Sequence, residues 1–524
     1  MKKLLIGILV PVVVIAGGAA TLYFLLRDNS TMEYQKTDKS VETILNENLL
    51  TAFSETKDKH QIRYELSQDD FNQVLSLAYD GMDTSVKDYL KGMEIKIDGD
   101  VYHIYIYAKA SILNSKIDLA CKFSSDEENY YLRIESIKVG RISGLKWMAT
   151  KILGNFLTDS QLNSMFSSAG IQMKADLSND RFVYNRNDCK ADLLKMVQKQ
   201  MTDDSLLSSV VSSFMDMNLL SVDFTSKVQA IIDLEPLNTN DSFCHEENML
   251  PSSSLNLEKH KEDVKKLLEN GKIDLTSSHS QIVFNYLVRG YGSLSEEEKS
   301  YIDSVDLDLI GIPSAMKKTY AGYQPSAESV RQIVASGVTD GSLVSSDGLL
   351  IKEDSLNLYL QSQGLLGYSY LIDGKKDDSY IVNYVTVDNI YFDCMNKDSV
   401  ETMNMVVGLN INGYETSVIL ENRKEASLDY GITLKNENMY FGTKEIPSDL
   451  KSELYTLIKD NLPSNEFLTF DGKGTFTIDF RGYLSDYLSI ISSTTGKTLK
   501  LDTSIEGTAL TDESAGLRLK GALV

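Results

Sequence analysis

An α+β fold is predicted for this chain: two related units of curled, largely antiparallel sheet with packed helices, behind one N-terminal transmembrane helix and with a helical connecting region between them. Three observations predict it. Residues 4–26 form an apolar run of 23 residues behind Met-Lys-Lys. Helical and alternating periodicities then come in grouped blocks, without the βαβ rhythm of a parallel sheet. The order of those blocks occurs twice.

The apolar run is long enough to cross a hydrocarbon core of about 30 Å as one helix. Lys2 and Lys3 precede it and Arg27-Asp28 follows, so the basic bias keeps the N-terminus in the cytoplasm and sends the rest outside. A cleavable signal is the rival reading, since Gly18-Ala19-Ala20 offers small residues at a cleavage-like spacing. Leu22 to Leu26 continue the apolar run where a signal peptide turns polar, which favours a retained anchor. No Cys follows the run to take a lipid.

Composition narrows the partners. With 75 acidic against 52 basic residues the net charge is −23 and the pI near 4.7, so no dense basic face is present for nucleic acid, and contact with lipid must be apolar. Hydrophobic residues make up 42%, enough for a sizeable core. Cys121, Cys189, Cys244 and Cys394 are scattered, and their spacing specifies no disulfide; Cys121, in KIDLACKF, reads as a small buried hydrophobe.

Residues 1–27 are read as cytoplasmic tip and anchor, and 28–60 as a polar stalk and an amphipathic helix, with Val41, Ile44, Leu45, Leu49 and Leu50 as its stripe. The first α+β unit spans 61–235. Ser67 is a predicted N-cap with acidic residues just behind it. VYHIYIYAKA and KIDLACKF then alternate as half-buried strands. Residues 236–338 form the helical connecting region, where Ser295-Glu296-Glu297-Glu298 makes a capping box. The second unit spans 339–524.

The duplication rests on matching motifs. Leu66 to Leu75 matches Ile351 to Leu360, with Asn72 over Asn357, and Gly140 falls over Gly442 with a helix after each. In the second copy Asn412-Gly413 signals a turn or bulge and Pro447 stands at a helix start.

At these residues a family resemblance enters. Leu409 to Val418, Met439 to Pro447 and Gly474 to Phe480 are similar to the YpmS-type membrane-anchored proteins of Gram-positive bacteria, and Leu66 to Leu75 with Ile137 to Ile142 resembles them too. The likeness covers roughly 61–184 and 349–480. This chain departs by carrying two units, and by Ser143-Gly144 where the family has a Pro. The resemblance implies an extracytoplasmic envelope protein with no catalytic residues to carry over. The element order is also similar to tubular lipid-binding domains, whose curled sheet wraps a long helix and leaves an apolar groove.

Motifs for chemistry fail on inspection. His245-Glu246 begins a zinc motif, but Met249 stands where the second histidine belongs. Gly496-Lys497-Thr498 lacks the first glycine of a phosphate loop and reads as a turn before a strand. Asp306, Asp308 and Gly311 sketch a calcium loop, but Lys317 occupies the bidentate acid position. His60, His103, His245, His260 and His279 are dispersed without metal spacing. No catalytic residue, metal or cofactor is therefore assigned.

Apolar grooves remain as the candidate site, lined by Ile104, Ile106, Leu119 and Ile134 in the first unit and Val418, Leu420, Ile432 and Leu434 in the second. Trp147, the only tryptophan, is read as core or groove lining. The expected function is non-catalytic binding of a lipid or another amphiphile. The alternatives are a protein-binding scaffold of an envelope complex and a surface hydrolase without a recognisable motif. Open grooves would favour the first, and filled cores with an exposed apolar patch the second.

Overall fold

The computed structural model describes most of the chain from Thr37 to Leu523; residues 1–27, 144–158, 164–171, 190–212, 244–251, 323–343, 462–467 and 508–514, with shorter stretches, lie outside the described residues. The expected anchor falls there. Among the described residues no helix is long and apolar enough to cross a membrane. The chain divides into two compact units, Met1–Ala52 with Arg63–Ile232, and Phe53–Ile62 with Asp233–Val524.

The first unit opens with helix α1 (Val41–Ala52), which buries Ile44 and Leu50 and leaves Leu49 43% exposed. Strand β1 (Gln61–Leu66) leads into α2 (Gln68–Asp80). Ser67 and Asp70 cap that helix reciprocally: Asp70 N–H donates to Ser67 Oγ at 3.1 Å, and Ser67 N–H to the Asp70 carboxylate at 2.9 Å.

Strands β2 (Leu90–Asp98), β3 (Val101–Ala110), β4 (Leu113–Ser125), β5 (Asn129–Val139), β6 (Lys174–Asp176) and β7 (Arg181–Asn185) form one sheet in the order β2-β3-β4-β5-β7-β6. Its strand pairs are all antiparallel. A second sheet of three strands, β1-β9-β8, adds β8 (Leu220–Asp223) and β9 (Val228–Asp233). The edge of β2 is held by α2: Asn72 donates to Ile95 O at 2.9 Å and accepts from Ile95 N–H at 2.6 Å, and Gln68 accepts from Ile97 N–H at 2.8 Å. These amides satisfy backbone groups that an edge strand otherwise leaves open. The helix expected to follow through Trp147, Ile152 and Leu153 lies outside the described residues.

The second unit contains the described part of the connecting region. Helices α3 (Leu257–Glu269), α4 (His279–Arg289) and α5 (Glu296–Ser304) bury Val264, Leu267, Val283, Phe284 and Ile302 in one core with Leu371, Val382 and Tyr384. Those three belong to β12 (Ser369–Lys376) and β13 (Ser379–Lys397). The helices thus share a core with the second unit's sheet. Ser295 and Glu298 cap α5 as the sequence predicts. The Lys317 ammonium is buried on the carbonyls of Ile302, Asp303 and Val305, where it balances the negative end of α5.

Strands β10 (Val344–Ser345) and β11 (Gly348–Lys352) precede helix α6 (Glu353–Gln361). Beyond β13 come β14 (Val400–Ile411), β15 (Tyr414–Leu428), β16 (Gly431–Phe441), β17 (Lys444–Glu445) and α7 (Ser448–Asn461). Then follow β18 (Leu468–Phe470), β19 (Thr475–Asp479), α8 (Arg481–Thr495), β20 (Leu499–Glu506) and β21 (Gly516–Leu523). The main sheet runs β12-β13-β14-β15-β16-β19-β18 with β17 on β16, and a second runs β10-β11-β21-β20. Asn412 and Gly413, with φ of +48° and +93°, close the two-residue turn between the paired Ile411 and Tyr414. Pro447 O accepts the amide of Lys451 at the start of α7. Gly496, with φ of +65°, ends α8 ahead of β20, so the Gly-Lys-Thr segment is a turn.

Candidate functional site

Cross-strand register gathers the four first-unit candidates onto one sheet face. Ile104 stands opposite Leu119, Ile106 opposite Ile117, and Leu119 opposite Ile137. A bulge at Ala120/Cys121 then brings Cys121 opposite Ile134. Ile117, Cys121, Ile134, Ile137 and Val139 are buried in this cluster, while Ile104, Ile106, Leu119, Leu132 and Phe182 are only half-buried against it. Burial pushes the Cys121 thiol up to about 12, so it packs as a neutral hydrophobe and is no nucleophile. Trp147 lies outside the described residues.

In the second unit the register repeats with other side chains. The bulge falls at Glu421/Asn422, with Leu420 opposite Met405 and Met439, and Leu434 opposite Phe476. Leu420, Ile432 and Leu434 are 1%, 0% and 1% exposed, and only Val418 is half-buried. Strand β20 packs across β13, β14, β15 and β16, and its Ile505 amide donates to Glu401 at 2.7 Å. At three of the four expected groove positions the second unit therefore presents closed core. The physical reason is strand β20, eight residues laid across that face.

The second unit also buries a polar ladder across four strands. Asn404 donates to Asp393 at 3.1 Å, Asn422 N–H to Asn404 at 3.2 Å, Asn436 to Asn422 at 3.1 Å, and Tyr455 Oη to Asn436 at 2.5 Å. All four strand residues are at most 5% exposed, so mutual bonding offsets the cost of burying them. Near the β13 bulge Asp388 is 6% exposed, and burial, with the Glu415 charge second, pushes its carboxyl up to about 7. Burial also drives His260 down to about 4.

On the opposite face of the first sheet His103 meets Asp118 at 2.9 Å, and Tyr107 donates to Glu94 at 2.9 Å. No nucleophile stands beside this histidine in the register, where Ala120 faces it. Among the described residues no group of three or more His, Cys, Asp and Glu is placed to hold a metal ion. The four sites that alternation singled out in the first unit are brought together. The cross-strand polar ladder was not legible, because its members are separated by 11 to 18 residues and meet only through register.

Compared with protein-family models, curated proteins and solved structures, the chain matches none.

Proposed function

We propose that this chain is a membrane-anchored extracytoplasmic envelope protein that binds a lipid or another amphiphile on the apolar face of its first unit. The observation that carries the reading is the half-burial of Ile104, Ile106, Leu119, Leu132 and Phe182 side by side on one sheet face. No charged side chain is among them. Such a face suits an acyl chain, since each apolar side chain that becomes covered contributes about 1.5 to 3 kcal/mol on full burial.

The location follows from the sequence: the apolar run over 4–26, the basic residues before it, and the resemblance to YpmS-type proteins. A tandem duplication underlies the two units. Its support is the matching order of six strands in the two main sheets (β2 to β7 against β13 to β16, β19 and β18, with β12 and β17 additional), the bulge at Ala120/Cys121 and Glu421/Asn422, and the left-handed Gly140 and Gly442, whose amides donate to Lys116 O and Ser417 O at 2.9 and 2.7 Å. Asn357 and Glu353 accept from Phe392 N–H and Cys394 N–H at 2.6 Å each, as Asn72 and Gln68 do on β2.

In this reading the first copy keeps the binding face and the second has become a closed platform. The scaffold alternative draws on that closure, and on Tyr368 and Tyr370, 59% and 67% exposed at the start of β12. Mass spectrometry of the detergent-extracted full chain tests the choice. A stoichiometric amphiphile lost in an Ile104→Asp variant supports binding, and recovery of the chain with proteins alone would favour the scaffold.

A further inference from the structure

We propose that the outer face of the first unit's sheet docks a linear phosphate polymer, held by a row of cations centred on Arg133. Register sets the row: Lys122 in β4 stands opposite Arg133 in β5, and Arg133 stands opposite Arg181 in β7. Adjacent strands are about 4.8 Å apart, so the three cations stand in line across about 10 Å, at right angles to the strands. Alternation puts them on the face opposite Leu132 and Ile134, away from the apolar cluster.

Like charges placed directly opposite each other oppose strand pairing. The outer two relieve this by leaning away: Lys122 pairs with Asp100, and Arg181 Nε meets Asp176 at 2.8 Å with its guanidinium 4.7 Å from the centre of the Tyr131 ring. Arg133 is exposed, and no carboxylate pairs with it among the described residues. An unpaired guanidinium, set between two cations whose charges Asp100 and Asp176 already partner, is a local site for an outside anion in a chain of net charge −23.

The second unit carries a related pair at the matching place. One position beyond its bulge pair, as Lys122 and Arg133 are one beyond Cys121 and Ile134, Arg423 stands opposite Lys435. Arg423 reaches Glu437 at 3.6 Å, and Lys435 Nζ donates to Lys473 O at 3.1 Å and Thr475 Oγ1 at 3.3 Å, with its charge felt by the Asp471 carboxyl. The cations lie on a line and do not converge, so a single phosphate meets one or two of them while a polymer meets one per strand. The flat fork of Arg133 fits phosphate oxygens.

The test uses the full chain in non-ionic detergent and fluorescent inorganic polyphosphate as probe. Saturable binding that weakens with salt is expected, with Arg133→Gln and Lys435→Gln each lowering affinity at least threefold, the double variant more, and Lys318→Gln leaving it unchanged. All three side chains are exposed, and unchanged thermal melting certifies the fold. Monophosphate should not compete at equal phosphate concentration. Absence of saturable binding, an unaltered double variant, or equal competition by monophosphate would each overturn the proposal. So would capture of phosphatidylglycerol vesicles without polyphosphate binding, which would assign the face to a membrane.

Discussion

The run β2-β3-β4-β5-β7-β6 of the first main sheet and the run β13-β14-β15-β16-β19-β18 of the second have the same order, a bulge between the third and fourth strands and helix side chains on the first strand, yet they differ in what covers the apolar face. Leu119 and Leu420 occupy equal places, two positions from the paired bulge residue on each fourth-from-end strand, and only Leu420 is sealed. In the second unit β20 crosses four strands on the face that holds Leu420. The difference teaches that a shared backbone plan leaves the state of the core open. Placement of a covering element such as β20 decides whether that face is a filled core.

The largest expected effect probes that contrast directly. Leu420→Ala should destabilise the second unit by about 2 to 5 kcal/mol, because sealed packing cannot collapse around the loss. Leu119→Ala, at a half-buried site, should cost about 1 kcal/mol in the first. Denaturant unfolding followed in each variant checks this, and equal costs would erase the distinction.

Next come the edge clamps. Asn357→Ala leaves the buried Phe392 amide without its acceptor and should cost about 1 to 3 kcal/mol. Asn72→Ala frees a half-buried strand edge and should cost about 1 kcal/mol. The comparison breaks if the order of the two is reversed in thermal melts.

The pH dependence sharpens it further. The Asp388 carboxyl sits at about 7 when folded and at the ordinary value of about 4 when unfolded. Between those values the folded chain holds a proton that the unfolded chain has released. Its contribution is fully present below about 4 and is lost as pH rises through about 7. Asp388→Asn should flatten that decline in the second unit and leave the first unchanged, read from melting temperature between pH 4 and pH 8. An unaltered slope would contradict the assignment. The smallest effect belongs to the exposed cap, where Ser67→Ala should cost about 1 kcal/mol or less, measured by the same melts.

Local chemistry was legible in the sequence. The caps at Ser67 and Ser295, the Asn412-Gly413 turn and the alternation of Ile104, Ile106 and Leu119 depend on neighbours along the chain, and each stands where it was expected. Non-local features were not. Residues 236–338 read as a separate region because nothing in their periodicity tells that Phe284 will stack on Tyr384, 100 residues on. The sealing of Leu420, Ile432 and Leu434 depends on a strand that begins only at Leu499. The row of Lys122, Arg133 and Arg181 needs the register of three strands, which composition does not carry.

Uptake of a fluorescent fatty-acyl probe by the full chain tests the central claim most directly, read in wild type and in Ile106→Asp and Leu420→Asp variants. The account predicts saturable uptake by wild type, loss of uptake with an intact fold in Ile106→Asp, and unfolding of the second unit with uptake retained in Leu420→Asp. A well-folded wild-type chain that takes up no probe, or an Ile106→Asp chain that unfolds as Leu420→Asp does, would contradict it.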